Sequence, residues 1–190
     1  KHNYQSISKT KTFTPASNDP NFVFSQLSKN VENAFIKARR HNLAPKKFFF
    51  FLKTQEFSYK GLEFKMQNSV SSPQEILGTI RKSFNQVFNP RVKYRSTGII
   101  LMDLEDENNK QYDLFGATTK IENMREVMGA IDTLDQKFGK HTVFLGSSLL
   151  AMNNSAHKGD RGDEAMRVTN LFKGENKRQR IGIPMLGEAA

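Results

Sequence analysis

The chain has 190 residues, of which 37% are hydrophobic, 25% charged and 11% aromatic, and its formal net charge at pH 7 is +10. It contains no Cys and no Trp, which excludes disulfides and Cys-ligated zinc or iron–sulfur sites. The longest apolar run, residues 48–52, is far shorter than the roughly 20 residues of a membrane span. We expect either one compact domain with less compact additional chain or two very small domains. Because the chain begins with Lys1 rather than Met, we expect it to be part of a longer protein.

The positive charge is concentrated in the first part of the sequence. Residues 1–104 hold 17 basic and 6 acidic side chains, a net charge of +11, whereas residues 105–150 have a net charge of −3 and residues 151–190 one of +2. This concentration indicates a polyanionic partner, with nucleic acid first and an anionic membrane surface second. The alternative is a basic surface that serves only solubility.

The chain opens with a strand pattern followed by a helix pattern. Residues 5–13 alternate polar and apolar side chains, which predicts a strand with one solvated face. Asp19 can cap a helix, and Pro20 fits its first position. The apolar stripe of that helix consists of Phe24, Leu27, Val31, Phe35 and Ala38.

Two strand patterns follow, residues 46–56 and 58–66, and the first contains four consecutive Phe, Phe48 to Phe51. Successive strand residues point to opposite faces, so we expect at least half of these rings to pack in the core. The functional alternative is stacking of Phe on nucleobases, as in proteins that bind single strands.

The next helix and strand complete a β-α-β-β-α-β order. Residues 72–75 form a capping box with Pro73 at the first helical position, and Asn89-Pro90 ends that helix. Residues 93–104 predict a fourth, buried strand. The predicted fold is therefore an α+β, split β-α-β arrangement, with two helices on one face of a four-stranded sheet. The other face is left open and carries Lys, Ser and Thr.

The rest of the chain reads as an extension of this domain. We divide the sequence into the domain 1–104, an acidic loop 105–117, a helix-strand extension 118–150 and an irregular basic tail 151–190. The extension helix is predicted to begin with a capping box at Thr119 and Glu122. Residues 141–146 predict a short strand.

Catalytic patterns have little support in this sequence. The four His, at positions 2, 41, 141 and 157, have neither metal-ligand spacing nor a neighbouring carboxylate motif. The one dense carboxylate cluster, Asp103 and residues 105–107, falls where a strand runs into a loop, which is typical of a solvated turn rather than of a two-metal site.

One apolar pair stands in the acidic loop. Leu114 and Phe115 follow Gln111, Tyr112 and Asp113 in an otherwise hydrophilic stretch. Burying each of the two side chains would contribute roughly 1.5–3 kcal/mol. The pair either folds back as an apolar staple before the next helix or enters the pocket of a partner protein, with Gln111 hydrogen bonding beside it.

Several of these segments resemble one protein family. Residues 6–13, the helix after Asp19 and residues 94–99 (YRSTGI) resemble the little-finger domain of bacterial Y-family translesion DNA polymerases of the polymerase IV and V type. Residues 111–115 resemble the sliding-clamp-binding peptide of bacterial polymerases, with Tyr112 where Leu is commoner. Residues 118–146 resemble the C-terminal extension of the polymerase V catalytic subunit. The resemblance covers residues 4–150.

The resemblance implies a fragment that grips DNA and does not itself polymerise it. The catalytic carboxylates and the Mg²⁺ of this family belong to a palm domain that would precede Lys1, so no cofactor is expected here. The implied partners are primer–template duplex and the sliding clamp, with an accessory subunit as a further one and no membrane. The implied setting is DNA damage repair in the SOS response, in the cytoplasm.

The resemblance also implies which residues bind DNA and which bind the clamp. For DNA it implies Ser6, Lys9, Thr10, Lys11, Arg95 and Ser96, to which the charge pattern adds Lys53 and Lys60. For the clamp it implies Gln111, Tyr112, Asp113, Leu114 and Phe115. Two rival functions remain open at this point: a stand-alone basic nucleic-acid-binding module, and a protein-interaction adaptor with an incidental basic face.

Overall fold

The computed structural model describes residues 4–106, 117–139 and 141–153. Of residues 117–122 it describes the backbone only. The first part contains β1 (Ser6–Ser17), α1 (Pro20–Arg40), β2 (Leu43–Thr54), β3 (Tyr59–Lys65), α2 (Pro73–Val87) and β4 (Tyr94–Asp106). The second part contains α3 (Ala117–Phe138), a 3-10 turn (Gly146–Ser148) and α4 (Leu149–Asn153).

The four strands form one sheet in the order β1-β4-β2-β3, and all neighbours are antiparallel. Since β1 and β2 are both antiparallel to β4, they run parallel to each other with β4 between them. This is the split arrangement that the element order predicts, and the α+β fold class is confirmed.

The two helices begin where the sequence predicts. The side chain of Asp19 accepts a hydrogen bond from the backbone N–H of Asn21 at 2.9 Å, and Pro20 is the first residue of α1. Ser72 accepts from the N–H of Gln74 at the start of α2. Each of the two helices that cover one face of the sheet therefore has a capped N-terminus.

The core lies between α1, α2 and this face of the sheet. Phe48 and Phe50 are fully buried in it, so the prediction that half of the Phe run packs inward is confirmed. Phe49 and Phe51 point to the other face because strand side chains alternate. The other fully buried large side chains include Ile7, Leu27, Phe35, Leu52, Ile76, Ile80, Ile99 and Leu101.

The 3-10 turn and α4 of the extension pack against α1. Glu32, on α1, accepts hydrogen bonds from the N–H of Leu145 at 3.1 Å and from the hydroxyl of Ser148 at 2.5 Å. The hydroxyl of Ser25 accepts from the N–H of Ala151 at 2.8 Å. A polar seam of α1 side chains thus holds residues 145–151 in place.

Two details of the extension differ from prediction. Residues 141–146 do not form the predicted strand: a turn at His141 leads into the 3-10 turn and α4. A strand needs a sheet edge, but here side chains satisfy the backbone N–H groups of the segment: Asp135 of α3 accepts from Thr142, and Glu32 of α1 accepts from Leu145. The helix α3 begins at Ala117, so Thr119 lies within its first turn rather than at its cap.

Candidate nucleic-acid interface

The open face of the sheet is built from four rows of side chains that cross all four strands. The pairing registers place these rows on the face opposite to Phe48, Phe50 and Leu101. In the order β1, β4, β2, β3 the rows are Thr12–Ser96–Lys53–Tyr59, Thr10–Gly98–Phe51–Gly61, Ser8–Ile100–Phe49–Glu63 and Ser6–Met102–Lys47–Lys65.

The β1 side of this face carries only hydroxyl groups. Ser6, Ser8, Thr10 and Thr12 are all exposed and follow one another at every second position. The alternation S-x-S-x-T-x-T in the sequence is what places them on one side of the strand. Hydroxyls of this kind donate hydrogen bonds to phosphate oxygens without distinguishing bases.

The β2–β3 side of the face is aromatic. The ring centroids of Phe49 and Phe51 lie 6.0 Å apart in a stacked arrangement, and those of Phe51 and Tyr59 lie 6.1 Å apart, edge to face. The two Phe rings lie across the neighbouring strands, over Gly98 and Gly61, where no Cβ is in the way. The rings therefore form a continuous surface on this half of the face.

A further aromatic ring stands at the turn between β2 and β3. Phe57 has a positive φ of 69° and its side chain is 63% exposed. The ammonium of Lys53 lies 5.2 Å from its ring centroid, and the guanidinium carbon of Arg95 lies 4.4 Å from it. Both distances are within cation–π range, so two cations are held beside one exposed ring.

A β-bulge brings Arg95 to this corner. Lys53 pairs with Ser96 and Thr54 pairs with Tyr94, so Arg95 is an extra residue on β4. Tyr94 is buried and donates a hydrogen bond from its hydroxyl to the carbonyl of Val87 in α2. The bulge allows Tyr94 to reach the core while Arg95 reaches Phe57.

At the other end of the face an ion pair joins two strands. The ammonium of Lys47 lies 2.8 Å from a carboxylate oxygen of Glu63. The hydrogen bond to Glu63 raises the pKa of Lys47, so this lysine stays protonated at neutral pH. Lys65 shares the row of Lys47 and adds a further positive charge.

The eight side chains predicted for DNA binding do not share one face. Ser6, Thr10, Lys53 and Ser96 lie in the open-face rows, and Arg95 joins them through the bulge. Ser96 is buried, whereas Ser6 and Thr10 are exposed.

Lys9, Lys11 and Lys60 lie on the side of the sheet that the helices cover, whereas Lys53 lies on the open face. Their register partners Ile99, Thr97 and Leu52 are buried. The charge of Lys11 also affects Lys29 on α1. The pKa of Lys29 is lowered mainly by burial and secondly by the charge of Lys11. The physical reason is strand alternation, which separates Lys9 and Lys11 from Thr10 between them.

The comparison with known families gives one decisive match. The model of the impB/mucB/samB family C-terminal domain matches residues 4–114. The chain belongs to this family. The match covers the whole sheet, α1 and α2, so the prediction of a Y-family polymerase C-terminal domain is confirmed over these residues. Helices α3 and α4 lie beyond the matched residues.

Solved structures with a similar chain are polymerases and a polymerase domain. A chimera of the Y-family DNA polymerases Dbh and Dpo4 shows 14% identity and a TM-score of 0.44, over 53% of this chain and 29% of that one. DinB from Sulfolobus solfataricus shows 14% identity and a TM-score of 0.42, over 51% and 28%. The little finger domain of PolIV, in complex with a beta-clamp processivity factor, shows 12% identity and a TM-score of 0.43, over 58% and 98%.

This chain therefore spans less than a third of the length of the polymerases that it resembles. Among curated proteins, no sequence matches it at a significant level.

The aromatic and hydroxyl residues of the open face include several that sequence reasoning missed. Phe57, Tyr59, Ser8 and Thr12 were not among the predicted DNA-binding residues. The hydroxyls follow from the same alternation that selects Ser6 and Thr10. Tyr59 could have been found from the hairpin, since a turn at 55–58 pairs it with Lys53.

The family assignment does not locate the predicted clamp peptide. Gln111, Tyr112, Asp113, Leu114 and Phe115 lie outside the described residues. Within residues 4–106, 117–139 and 141–153, no group of three or more His, Asp or Glu side chains could hold a metal ion. Over the same residues, no helix is long and apolar enough to cross a membrane.

Proposed function

We propose that this chain is the DNA-binding fragment of an error-prone translesion DNA polymerase and that its open sheet face lies against primer–template duplex. The observation that carries the proposal is the arrangement of the β1 hydroxyls beside the cations Lys53 and Arg95 on a face that no helix of the described chain covers. Family membership and the net charge of +11 in residues 1–104 support it.

Contacts of this chemistry suit lesion bypass. Hydroxyl and ammonium groups that bind phosphate oxygens fix the position of a duplex but read no base edges. A damaged or mismatched base pair leaves the phosphates in place, so the grip would survive it. The face would thus hold a duplex whose sequence and integrity vary.

The chemistry of nucleotide addition would belong to the rest of the polymerase. A catalytic palm domain and the Mg²⁺ bound there would lie outside this chain, and the proposed role of the fragment is to hold the product duplex. Such a role places the protein with the chromosomal DNA in the cytoplasm. Translesion synthesis in the SOS response is the setting that we propose.

The second proposed partner is the sliding clamp. Leu114 and Phe115 would enter an apolar pocket of the clamp, with Gln111 hydrogen bonding at its rim. This proposal rests on the sequence of residues 111–115 alone. A tether of this kind raises the local concentration of a weakly bound polymerase on DNA.

Titration with labelled duplex at several salt concentrations tests the DNA proposal. Fluorescence anisotropy would compare wild type with Lys53→Gln/Arg95→Gln on the open face and with Lys11→Gln/Lys60→Gln on the other side, each pair removing two charges. We expect the open-face pair to lower the slope of log K against log salt by about 2, because each phosphate contact contributes about 0.9. Equal losses in both pairs would place the duplex elsewhere.

Titration with a bacterial sliding clamp tests the tether. Wild type should bind the clamp, and Leu114→Ala/Phe115→Ala should not. Absence of binding by wild type would favour the staple interpretation of this pair, without affecting the proposal for the sheet face.

A further inference from the structure

We propose that Phe57 and Tyr59, with Lys53 and Arg95 beside them, bind unpaired nucleotides of a single-stranded segment that adjoins the duplex. This inference rests on the proposed DNA-binding function and divides the open face in two. The β1 hydroxyls with Lys53 and Arg95 would hold the phosphates of the duplex, and the rings of Phe57 and Tyr59 would stack on bases that have left the duplex beside the same two cations.

The exposure of these two rings is the first observation. Phe57 and Tyr59 are 63% and 70% exposed, and they are the only large hydrophobic side chains of residues 4–106 with such exposure. Both stand at the same end of the open face: Tyr59 contacts the Phe51 ring and pairs with Lys53, and Lys53 in turn lies over the Phe57 ring. Exposed aromatic rings grouped in this way mark binding surfaces, because they remain in water only until a partner covers them.

The rings are held in place by the backbone. In the turn between β2 and β3, the N–H of Thr54 donates to the carbonyl of Ser58 at 2.8 Å, and the N–H of Phe57 donates to the carbonyl of Thr54 at 3.2 Å. The N–H of Gln55 donates to the carbonyl of Lys93 at 2.9 Å, which ties the turn to the chain before β4.

Phe57 adopts a positive φ of 69° within this turn, a conformation that residues with a Cβ rarely adopt. A strained and tied residue that presents an exposed ring is a feature of binding sites.

The charges at the corner select a nucleic acid strand. Lys53 and Arg95 lie against the Phe57 ring, whereas Glu56 is the one carboxylate of the turn itself. A base stacked on a ring brings its own phosphate within a few ångströms, where these cations can meet it. An apolar protein partner would gain nothing from them.

Unpaired nucleotides fit the rings better than a duplex does. Inside a duplex both faces of each base are stacked on neighbouring bases, and the groove offers only edges and phosphates. An unpaired base, unlike a base inside a duplex, has a free face for Phe57 or Tyr59. Every base has such a face when unpaired, so the site would be tolerant of sequence.

Overhang binding tests this inference. Anisotropy would compare a blunt duplex with the same duplex carrying a short single-stranded overhang of thymidines or of abasic sites. We expect the thymidine overhang to raise wild-type affinity about tenfold, since stacking on one or two bases has that effect. The abasic overhang, which keeps the phosphates, should give a much smaller gain.

Variants assign the gain to the corner. Phe57→Ser/Tyr59→Ser should lose the thymidine gain, measured within each variant as the ratio of its affinity for overhang DNA to its affinity for blunt duplex. Phe57→Leu/Tyr59→Leu, which keeps apolar bulk without a ring, should lose it as well. Phe138→Ser is the matched control, because this ring is 39% exposed on α3, and it should keep the full gain.

Each outcome is decisive for one of the two proposals. Equal affinity of wild type for blunt and overhang DNA, or a gain that persists in both double variants, overturns the stacking inference. Binding of oligo-thymidine through Phe57 and Tyr59 without binding of duplex supports the stacking inference and overturns the duplex proposal. If wild type forms a dimer and Phe57→Ser/Tyr59→Ser dissociates it, the two rings bind a second copy of the chain. That result would also overturn the inference.

Discussion

The ring of Phe51 fills the space that a Cβ on Gly98 would occupy. The two residues are paired across β2 and β4, and a Cβ built on Gly98 would lie 2.3 Å from Cζ of Phe51. On the other side of β2, a Cβ on Gly61 would lie 2.5 Å from Cζ of Phe49 and 2.4 Å from the carbonyl oxygen of Phe50. Two glycines thus make room for the two rings of the open face.

Gly98→Ala should lower the free energy of unfolding by about 1–3 kcal/mol, because the Phe51 ring must leave its position. Urea denaturation measures this loss. Adding Phe51→Leu should recover part of it, since a shorter side chain leaves room for the methyl group. An unchanged midpoint in Gly98→Ala would mean that the ring moves aside freely.

Gly61→Ala should be the more destabilising of the two glycine substitutions. The new methyl group would meet the carbonyl oxygen of Phe50, which is backbone and part of the β2 strand. Replacement of the Phe49 ring should therefore not restore stability, in contrast to the Gly98 pair. Recovery of Gly61→Ala by Phe49→Leu in the same urea experiment would contradict this account.

The ion pair between Arg39 on α1 and Asp132 on α3 should anchor the extension. Its two hydrogen bonds are both 2.7 Å long, and both side chains are largely shielded from solvent. Asp132→Asn should weaken the docking of α3 by about 1–3 kcal/mol, because the bonds lose their charge assistance. Hydrogen exchange should accelerate in α3 and remain unchanged in β2.

The control for that experiment is the exposed pair of Lys46 and Glu105, which are 3.3 Å apart. Glu105→Gln should change stability by no more than about 1 kcal/mol, as is usual for surface pairs. Slow exchange of α3 in Asp132→Asn would show that apolar contacts alone hold this helix.

Substitutions of Glu32 should separate hydrogen bonding from charge. This carboxylate is only 6% exposed and accepts from Leu145 and Ser148. Glu32→Gln keeps an acceptor oxygen and should be the milder change, whereas Glu32→Leu leaves the N–H of Leu145 unpaired and should cost about 1–3 kcal/mol. The measurement is the exchange rate of the Leu145 amide, and equal rates in both variants would refute the hydrogen-bond account.

The free energy of unfolding should depend on pH in the alkaline range because of Lys29. Burial and the charge of Lys11 lower the pKa of Lys29 below its ordinary value of 10.5, against the opposing charge of Glu32. Between the lowered pKa and 10.5 the unfolded chain binds more protons than the folded one, so the free energy of unfolding rises with pH in this window.

Lys29→Met should lack this rise. The free energy of unfolding of wild type should therefore increase relative to that of the variant as the pH increases toward 10.5. Lys11→Gln, introduced alone into the wild-type protein, should raise the pKa of Lys29, because it removes a neighbouring positive charge. NMR of the lysine side chains can follow this change. A fall of wild-type stability relative to Lys29→Met across the window would contradict the sign.

Local patterns in the sequence were enough for the elements of the sheet domain. The pairs Asp19-Pro20 and Ser72-Pro73 predict the starts of two helices. Strand alternation correctly places Phe48 and Phe50 in the core and the other two Phe of the run on the opposite face. These signals depend only on neighbours along the chain, because capping and face alternation are set by backbone geometry within a few residues.

Contacts between distant segments decided the rest. The open face joins Phe57 to Arg95 through a bulge, and the segment after His141 lies against Glu32 rather than forming a strand. The family resemblance supplied Lys9 and Lys11 and the charge pattern added Lys53 and Lys60, whereas the strand registers separate Lys53 from the other three. Composition predicts that a polyanion binds, but only the pairing of strands determines which side chains meet it, because register depends on the packing of the whole sheet.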